Sequence, residues 1–207
     1  MKIYKLLAAL LDYPTEITPA ILVEAGDILE GSEAVTRSDK KHMDKFVGHF
    51  RNIPLTAWQT EYSDLFDTSG QLSLYLFEYV YGSSRMRGQA MSDLIDTYRD
   101  AGIEVSSGEL PDYLPVFLEF LSFQSTPQDA DDYLADIKKI LDPIHTKLKK
   151  AGSPYAELIA ILLDHAAKGT SHPLPPREEM MVFDGRDDRC ANCELAGNAE
   201  PSEPLHV

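Results

Sequence analysis

Apolar residues recur along most of this chain at intervals of three and four, the spacing of helices that bury one face. The first such run contains Ile3, Leu6, Leu7 and Leu10, and it stops before Pro14. Nine helices are predicted in this way, over residues 2–12, 16–29, 38–50, 54–66, 71–81, 85–100, 109–121, 126–150 and 154–168. Since no segment shows the pattern of a strand, the predicted fold class is all-α, a single helical bundle of about nine helices.

The predicted helix over residues 71–81 is apolar almost all round, which is typical of a central helix. Glu78 is the only charged residue in it. A carboxylate in such surroundings needs a partner, water or a groove. We therefore expect Glu78 to have a specific environment.

The segment over residues 109–121 has a mixed character when it is drawn as a helix. One side carries a core stripe, namely Leu114, Phe117, Leu118 and Leu121. Asp112 and Glu119, seven residues apart, fall together on the opposite side with Val116 and Phe123 beside them. Two interpretations stay open: Asp112 caps the helix, or the face binds a peptide that is both basic and apolar.

Composition changes at residue 169. Residues 169–207 contain many prolines and acids but few bases, which indicates an irregular and mostly disordered acidic tail. The predicted organisation is therefore a helical domain over residues 1–168 followed by a tail over residues 169–207.

Charge and cysteine usage exclude several classes of protein. The chain has 34 acidic and 19 basic residues and a net charge of -15, which argues against binding to nucleic acid or to an anionic membrane. No stretch approaches the roughly 20 apolar residues that cross a bilayer. Only Cys190 and Cys193 occur, both near the C-terminus, so a disulfide framework is absent and a reducing cytoplasm is expected.

Sequence motifs for catalysis are not found. The chain has no phosphate-binding loop, nucleophile elbow or dinucleotide-binding glycine pattern, so no enzymatic activity is expected. Cys190 and Cys193 have C-x-x-C spacing but supply two metal ligands where structural zinc needs four, and they are weak metal candidates. Arg85 and Arg87 lie in the first turn of a helix, where cations are disfavoured, which indicates a neighbouring acid or ligand.

Three stretches resemble a known family. They are Leu10-Leu11-Asp12-Tyr13-Pro14, the segment LFEYVYGSSRMRGQAM over residues 76–91, and the segment ELPDY followed by LE over residues 109–119. Together they are similar to the NarJ-type chaperones, within the wider TorD/DmsD group of maturation factors for molybdenum enzymes. The resemblance covers about residues 1–168. Tyr113 stands where many members have His.

The resemblance implies a cytoplasmic, all-helical chaperone that is not an enzyme. Such a protein binds the N-terminal segment of the catalytic alpha subunit, most often that of respiratory nitrate reductase. It assists insertion of bis-molybdopterin guanine dinucleotide, holds no cofactor stably itself, and acts before membrane attachment, as a monomer. Two alternatives stay open: a related chlorate, selenate, dimethyl sulfide or ethylbenzene enzyme as client, or a generic helical adaptor for basic peptides.

The residues and the resemblance together predict a client-binding groove. Its carboxylates would pair with arginines of the client and its aromatic residues would contact the apolar part. The predicted contact residues are Trp58, Tyr62, Phe66, Glu78, Tyr81, Asp112, Tyr113, Val116 and Glu119.

Overall fold

The computed structural model describes residues 1–171, apart from 31, 33, 69–71, 83 and 106–107. These residues form nine α-helices and one π-helical segment, so the all-α prediction is confirmed. The helices are α1 (Lys2–Leu11), α2 (Thr18–Glu30), α3 (Arg37–Phe50), α4 (Leu55–Ser63), α5 (Glu78–Tyr81), α6 (Met86–Asp100), α7 (Leu114–Ser122), α8 (Pro127–Lys150) and α9 (Tyr155–Ala166), and the π-helical segment is Asp64–Thr68. The predicted tail, with Cys190 and Cys193, lies almost entirely outside the described residues.

The core is built around α1 and α9. Helix α1 packs against α2 and α7, and α9 packs against α3 and α8. Seven of the ten residues of α1 are buried, which is why its apolar positions extend over more than one face. None of the described helices is both long enough and apolar enough to cross a membrane.

Helix starts follow the capping rules that the sequence displays. In α8, Pro127 occupies the first turn while Thr126 and Asp129 form a reciprocal capping box. A second capping box joins Thr36 and Asp39 at the start of α3. Each box satisfies backbone N–H groups that have no partner within the helix.

Of the predicted helix over residues 71–81, the structure describes residues 72–81, and among these only Glu78–Tyr81 is helical, so the prediction is wrong for residues 72–77. The preceding residues instead pair with the segment before α7. The amide of Leu76 donates to the carbonyl of Asp112 at 2.8 Å, and the amide of Leu114 donates to the carbonyl of Leu74 at 2.8 Å. A β-bridge between Tyr75 and Tyr113 completes this pairing. The carbonyl of Leu74 and the amide of Leu76 thus find partners across the chain rather than within a helix.

A buried polar cluster ties four helices together. The imidazole of His165 lies between two carboxylates, with Nδ1 at 2.9 Å from Asp131 and Nε2 at 3.2 Å from Asp39. The hydroxyl of Tyr4 donates to Asp131 at 2.8 Å. Because these side chains come from α1, α3, α8 and α9, the cluster fixes the relative positions of the helices at the centre of the bundle.

Candidate functional site

Asp112 lies just before α7 and has no exposed surface. Its Oδ2 accepts hydrogen bonds from the amide of Phe77 at 3.1 Å and from Arg87 at 3.2 Å. The prediction that Asp112 shares an exposed helix face with Glu119 is therefore wrong. The capping interpretation is also wrong, since the N-cap of α7 is Tyr113 and makes no side-chain capping bond. Asp112 instead anchors the segment before α5 to α6 and α7.

Arg87 is the partner of two acids. Its guanidinium donates to Glu78 at 3.3 Å and to Asp112 at 3.2 Å. The prediction of a neighbouring acid is thus confirmed for Arg87, and Glu78 has the partner that its apolar surroundings demand. Since Glu78 keeps 42% of its side-chain surface exposed, it still offers a carboxylate to solvent.

Tyr113 stands at the centre of a hydrogen-bonded chain. Its hydroxyl donates to Asp12 at 3.1 Å and lies 3.0 Å from the hydroxyl of Tyr62. The hydroxyl of Tyr62 in turn reaches the carbonyl of Leu11 at 3.1 Å. Burial, with the neighbouring Tyr62 and Asp12, raises the pKa of Tyr113 far above its ordinary value, so the phenol stays protonated. It acts here as a neutral donor.

Two surface cavities flank Tyr113. One, between α1, α7 and the segment before α7, has a volume of about 230 Å³. The other, between Tyr13, Tyr62 and the segment before α5, has a volume of about 540 Å³. Asp12, Glu109 and Tyr113 line both cavities. We refer to the two cavities together as the acidic groove.

The charge of this groove has one sign. Its lining includes the carboxylates of Asp12, Asp67, Glu78, Glu104, Glu109 and Glu119. Of the described residues that line the two cavities, none is Lys, Arg or His. A concave surface of this kind concentrates a negative potential and attracts basic groups.

Apolar surface lies between these carboxylates. Phe66, Leu72 and Tyr75 line the larger cavity, and the ring of Tyr75 lies 5.2 Å from that of Tyr113. Val105, Val116 and Phe123 line the smaller one. Phe123 is 66% exposed, so the rim of the groove carries a large apolar side chain in contact with solvent.

The structure brings together most of the predicted contact residues, but not all. Tyr62, Phe66, Glu78, Tyr113, Val116 and Glu119 line the acidic groove. Trp58 is 1% exposed, stacks on Phe50 and donates to the hydroxyl of Tyr155 at 2.7 Å, so it belongs to the core. Tyr81 packs its ring against Phe77 and lines neither cavity. Asp112 lies behind the groove rather than in it.

Several groove residues were not among the predicted contacts, and Asp12, Tyr75 and Glu109 are the ones next to Tyr113 that line one or both cavities. Asp12 and Glu109 belong to stretches that carry the family resemblance, which is the signal that could have identified them. Tyr75 could have been found from the alternation of Leu72, Leu74 and Leu76, which is a strand-like pattern within an apolar run.

The fold defines a known structural class. It is similar to the crystal structure of a putative redox enzyme maturation protein from Archaeoglobus fulgidus, with a TM-score of 0.58 and 22% sequence identity. The similarity covers 81% of this chain and 94% of that one. At this level of identity the likeness concerns the fold.

Sequence comparison gives the family. Residues 32–160 match the model of the family described as nitrate reductase delta subunit, and the chain belongs to this family. It is 35% identical over 184 residues to the nitrate reductase molybdenum cofactor assembly chaperone NarJ of Escherichia coli K12, covering 88% of this chain and 76% of that protein. It is also 35% identical over 171 residues to the probable chaperone NarW of the same organism, covering 83% and 71%. The resemblance drawn from the three sequence stretches is thereby confirmed.

Proposed function

We propose that this protein is an assembly chaperone for a nitrate reductase and assists insertion of the molybdenum cofactor into its client. The observation that carries the proposal is membership of the nitrate reductase delta subunit family, with chaperones of that description similar over most of the chain. The protein would act by binding rather than by catalysis. The cofactor, proposed to be bis-molybdopterin guanine dinucleotide, would be cargo delivered to the client and not a resident group of this chain.

The proposed binding partner is the N-terminal segment of the catalytic alpha subunit, held in the acidic groove. A segment with basic and apolar residues fits a groove whose described lining combines six carboxylates with aromatic and aliphatic side chains. Charged hydrogen bonds from arginine to carboxylate would set the register of the peptide, and burial of apolar side chains would supply most of the affinity. We further propose that the protein acts in the cytoplasm as a monomer, before membrane attachment of the reductase.

The proposed contacts are Glu78, Glu109 and Glu119 for basic residues and Phe66, Tyr75, Val116 and Phe123 for apolar ones. Asp112 and Arg87 would position the segments that form the groove without touching the peptide. Compared with the sequence-based set, this assignment leaves out Trp58, Tyr62, Tyr81, Asp112 and Tyr113 and adds Tyr75, Glu109 and Phe123. Oδ2 of Asp112 already accepts hydrogen bonds from Phe77 and Arg87.

Titration with a labelled peptide tests the site. The peptide is the N-terminal segment of the nitrate reductase alpha subunit of the same host, and binding is followed by fluorescence anisotropy. We expect the double variant Glu109→Gln/Glu119→Gln to bind about threefold to tenfold more weakly, because two exposed charge contacts are removed. The matched control Glu24→Gln/Glu30→Gln removes two exposed carboxylates of α2 and should bind like the wild type. Equal affinities for all three proteins would remove the acidic groove from the proposal.

A cellular assay tests the choice of client. In a host that lacks this gene, we expect nitrate reductase to accumulate without its cofactor and plasmid-borne protein to restore nitrate reduction. Restoration of a chlorate, selenate, dimethyl sulfide or ethylbenzene enzyme instead would favour the related-client alternative. If this protein binds unrelated basic peptides as tightly as it binds the alpha-subunit segment, it is a general adaptor.

A further inference from the structure

A second groove lies on the other side of α1, between α1 and α2. It has a volume of about 330 Å³ and is lined by Lys2, Lys5, Leu6 and Ala9 from α1 and by Ile21 and Ile28 from α2. Apart from the two lysines, every described lining residue is apolar. The groove adjoins the smaller cavity of the acidic groove through Ala9, which lines both.

The groove has the dimensions of a helix-binding site. Its lining spans two turns of α1, from Lys2 to Ala9, and two turns of α2, from Ile21 to Ile28, which is about 10 Å along each helix. Ile17, one turn before Ile21, is 68% exposed and lengthens the apolar strip. Two parallel ridges of side chains at this spacing accept the ridge of a third helix.

An extended peptide fits this groove less well. The backbone N–H and C=O groups inside α1 and α2 are used within the helices, so the groove walls offer no backbone partners to a strand. A helix satisfies its own backbone and needs only side-chain contact. The occupant that matches the walls is therefore an amphipathic helix.

Charge identifies the kind of helix. Lys2 and Lys5 are exposed at the α1 edge, and neither forms an ion pair with a described residue. Their aliphatic stems can cover an apolar partner while the ammonium groups meet carboxylates. Glu24 is exposed on the α2 edge, between Ile21 and Ile28. The two edges of the groove thus carry opposite charges on a chain whose net charge is -15.

We propose that the α1–α2 groove binds an amphipathic helix of a partner protein, with acidic residues on its α1-facing flank and neutral or basic residues on the other. Its α1-facing flank is acidic, whereas the peptide proposed for the acidic groove is basic. A membrane surface is a poorer match, because the protein as a whole is strongly negative and anionic lipids would repel it. The site is additional to the proposed client-binding groove and does not depend on it.

A designed peptide probes the site directly. It is helical, about five turns long, with leucines at intervals of three and four, glutamates on one flank and lysines on the other. We expect saturable binding to the full-length protein by fluorescence anisotropy. The variant Lys2→Glu/Lys5→Glu should weaken binding about threefold to tenfold, the effect of two exposed charge pairs. A second peptide with lysines in place of its glutamates should show the reverse preference and bind this variant better than the wild type.

The controls separate charge at the groove from charge in general. Lys40→Glu/Lys41→Glu makes the same change at two exposed positions of α3 and should bind both peptides like the wild type. The proposal is overturned if no saturable binding occurs at about 1 mM peptide, or if the two lysine variants behave alike. It is also overturned if Lys2→Glu/Lys5→Glu leaves peptide binding unchanged but abolishes either binding to anionic vesicles or dimerisation of the protein.

Discussion

The guanidinium of Arg87 neutralises the carboxylate of Asp112, a residue 25 positions away in sequence with no exposed surface. Removal of Arg87 would leave that carboxylate buried without a cation. We expect Arg87→Ala to lower the free energy of unfolding by about 3–5 kcal/mol, the range for breaking a buried ion pair on one side. Urea titration measures this loss.

A matched control for this prediction is Arg99→Ala. Arg99 pairs with Asp96 on the surface of α6, where both side chains are more than half exposed. Its removal should change stability by less than about 1 kcal/mol. Equal losses in the two variants would show that the Arg87–Asp112 pair is no more important than a surface contact.

The buried His165 gives stability a defined dependence on pH. Burial alone disfavours the imidazolium, but hydrogen bonds to Asp39 and Asp131 outweigh it and raise the pKa of His165 above 6.5. The resulting stabilisation is present at pH below the pKa of His165 in the unfolded chain, and it is lost as the pH rises through the pKa in the folded protein. We expect the free energy of unfolding of the wild type to fall with rising pH by about 1.4 kcal/mol for each pH unit that separates the folded and unfolded pKa of His165. The variant His165→Asn should lack this component.

His145 provides a comparison, because its contribution to stability changes with pH in the opposite direction. Burial, followed by the charge of Lys149, lowers the pKa of His145, so its component makes the protein more stable as pH rises toward the unfolded value. Unfolding of wild type, His165→Asn and His145→Asn is compared between about pH 5 and about pH 9. If both variants shift the pH profile in the same direction, the cluster around His165 does not hold an imidazolium.

Two phenylalanines near each other in sequence separate stability from binding. Phe117 is 4% exposed within α7, whereas Phe123 follows that helix and is 66% exposed on the rim of the acidic groove. We expect Phe117→Ala to cost about 3–5 kcal/mol of stability and Phe123→Ala almost none. Phe123→Ala should instead weaken binding of the alpha-subunit peptide. A normal affinity for this variant, measured by anisotropy, would exclude the exposed ring from the binding surface.

The hydroxyl groups of Tyr62 and Tyr113 should be energetically coupled, because they lie 3.0 Å apart in a buried setting. Each single change to Phe removes one neutral hydrogen-bonding group and should cost about 1 kcal/mol. The double variant should cost less than the sum, with a coupling energy of about 0.5–1 kcal/mol. Strict additivity in the cycle would mean that the two hydroxyls do not interact in solution.

The pattern of apolar positions predicts the bundle well, because most helices bury one regular stripe. Helix α7 shows this: Leu114, Phe117, Leu118 and Leu121 are all buried, as their spacing predicts. The prediction for residues 72–77 was wrong because long-range backbone pairing with the segment before α7 outweighs local preference. Periodicity carries no information about such pairing.

The candidate site was less predictable than the fold. The predicted helix over residues 109–121 includes Asp112, but α7 begins two residues after it. Helical periodicity therefore could not place Asp112 on the same face as Glu119. Trp58 was predicted to contact the client, yet it stacks on Phe50 of α3 and is buried in the core. Charge and aromatic content suggest a peptide site, while only coordinates show which side chains reach it.

The hydrogen bond from Tyr113 to Asp12 spans 101 residues, and α1 depends for much of its burial on α7. During synthesis α1 leaves the ribosome first and then waits about 5–20 seconds for α7, at ordinary elongation rates. For that interval its seven buried residues have no complete surface to cover them. The acidic groove therefore cannot be complete until α7 has been made, although α8 and α9 are still to follow. A nascent chain that ends before α7 therefore lacks residues that line the acidic groove.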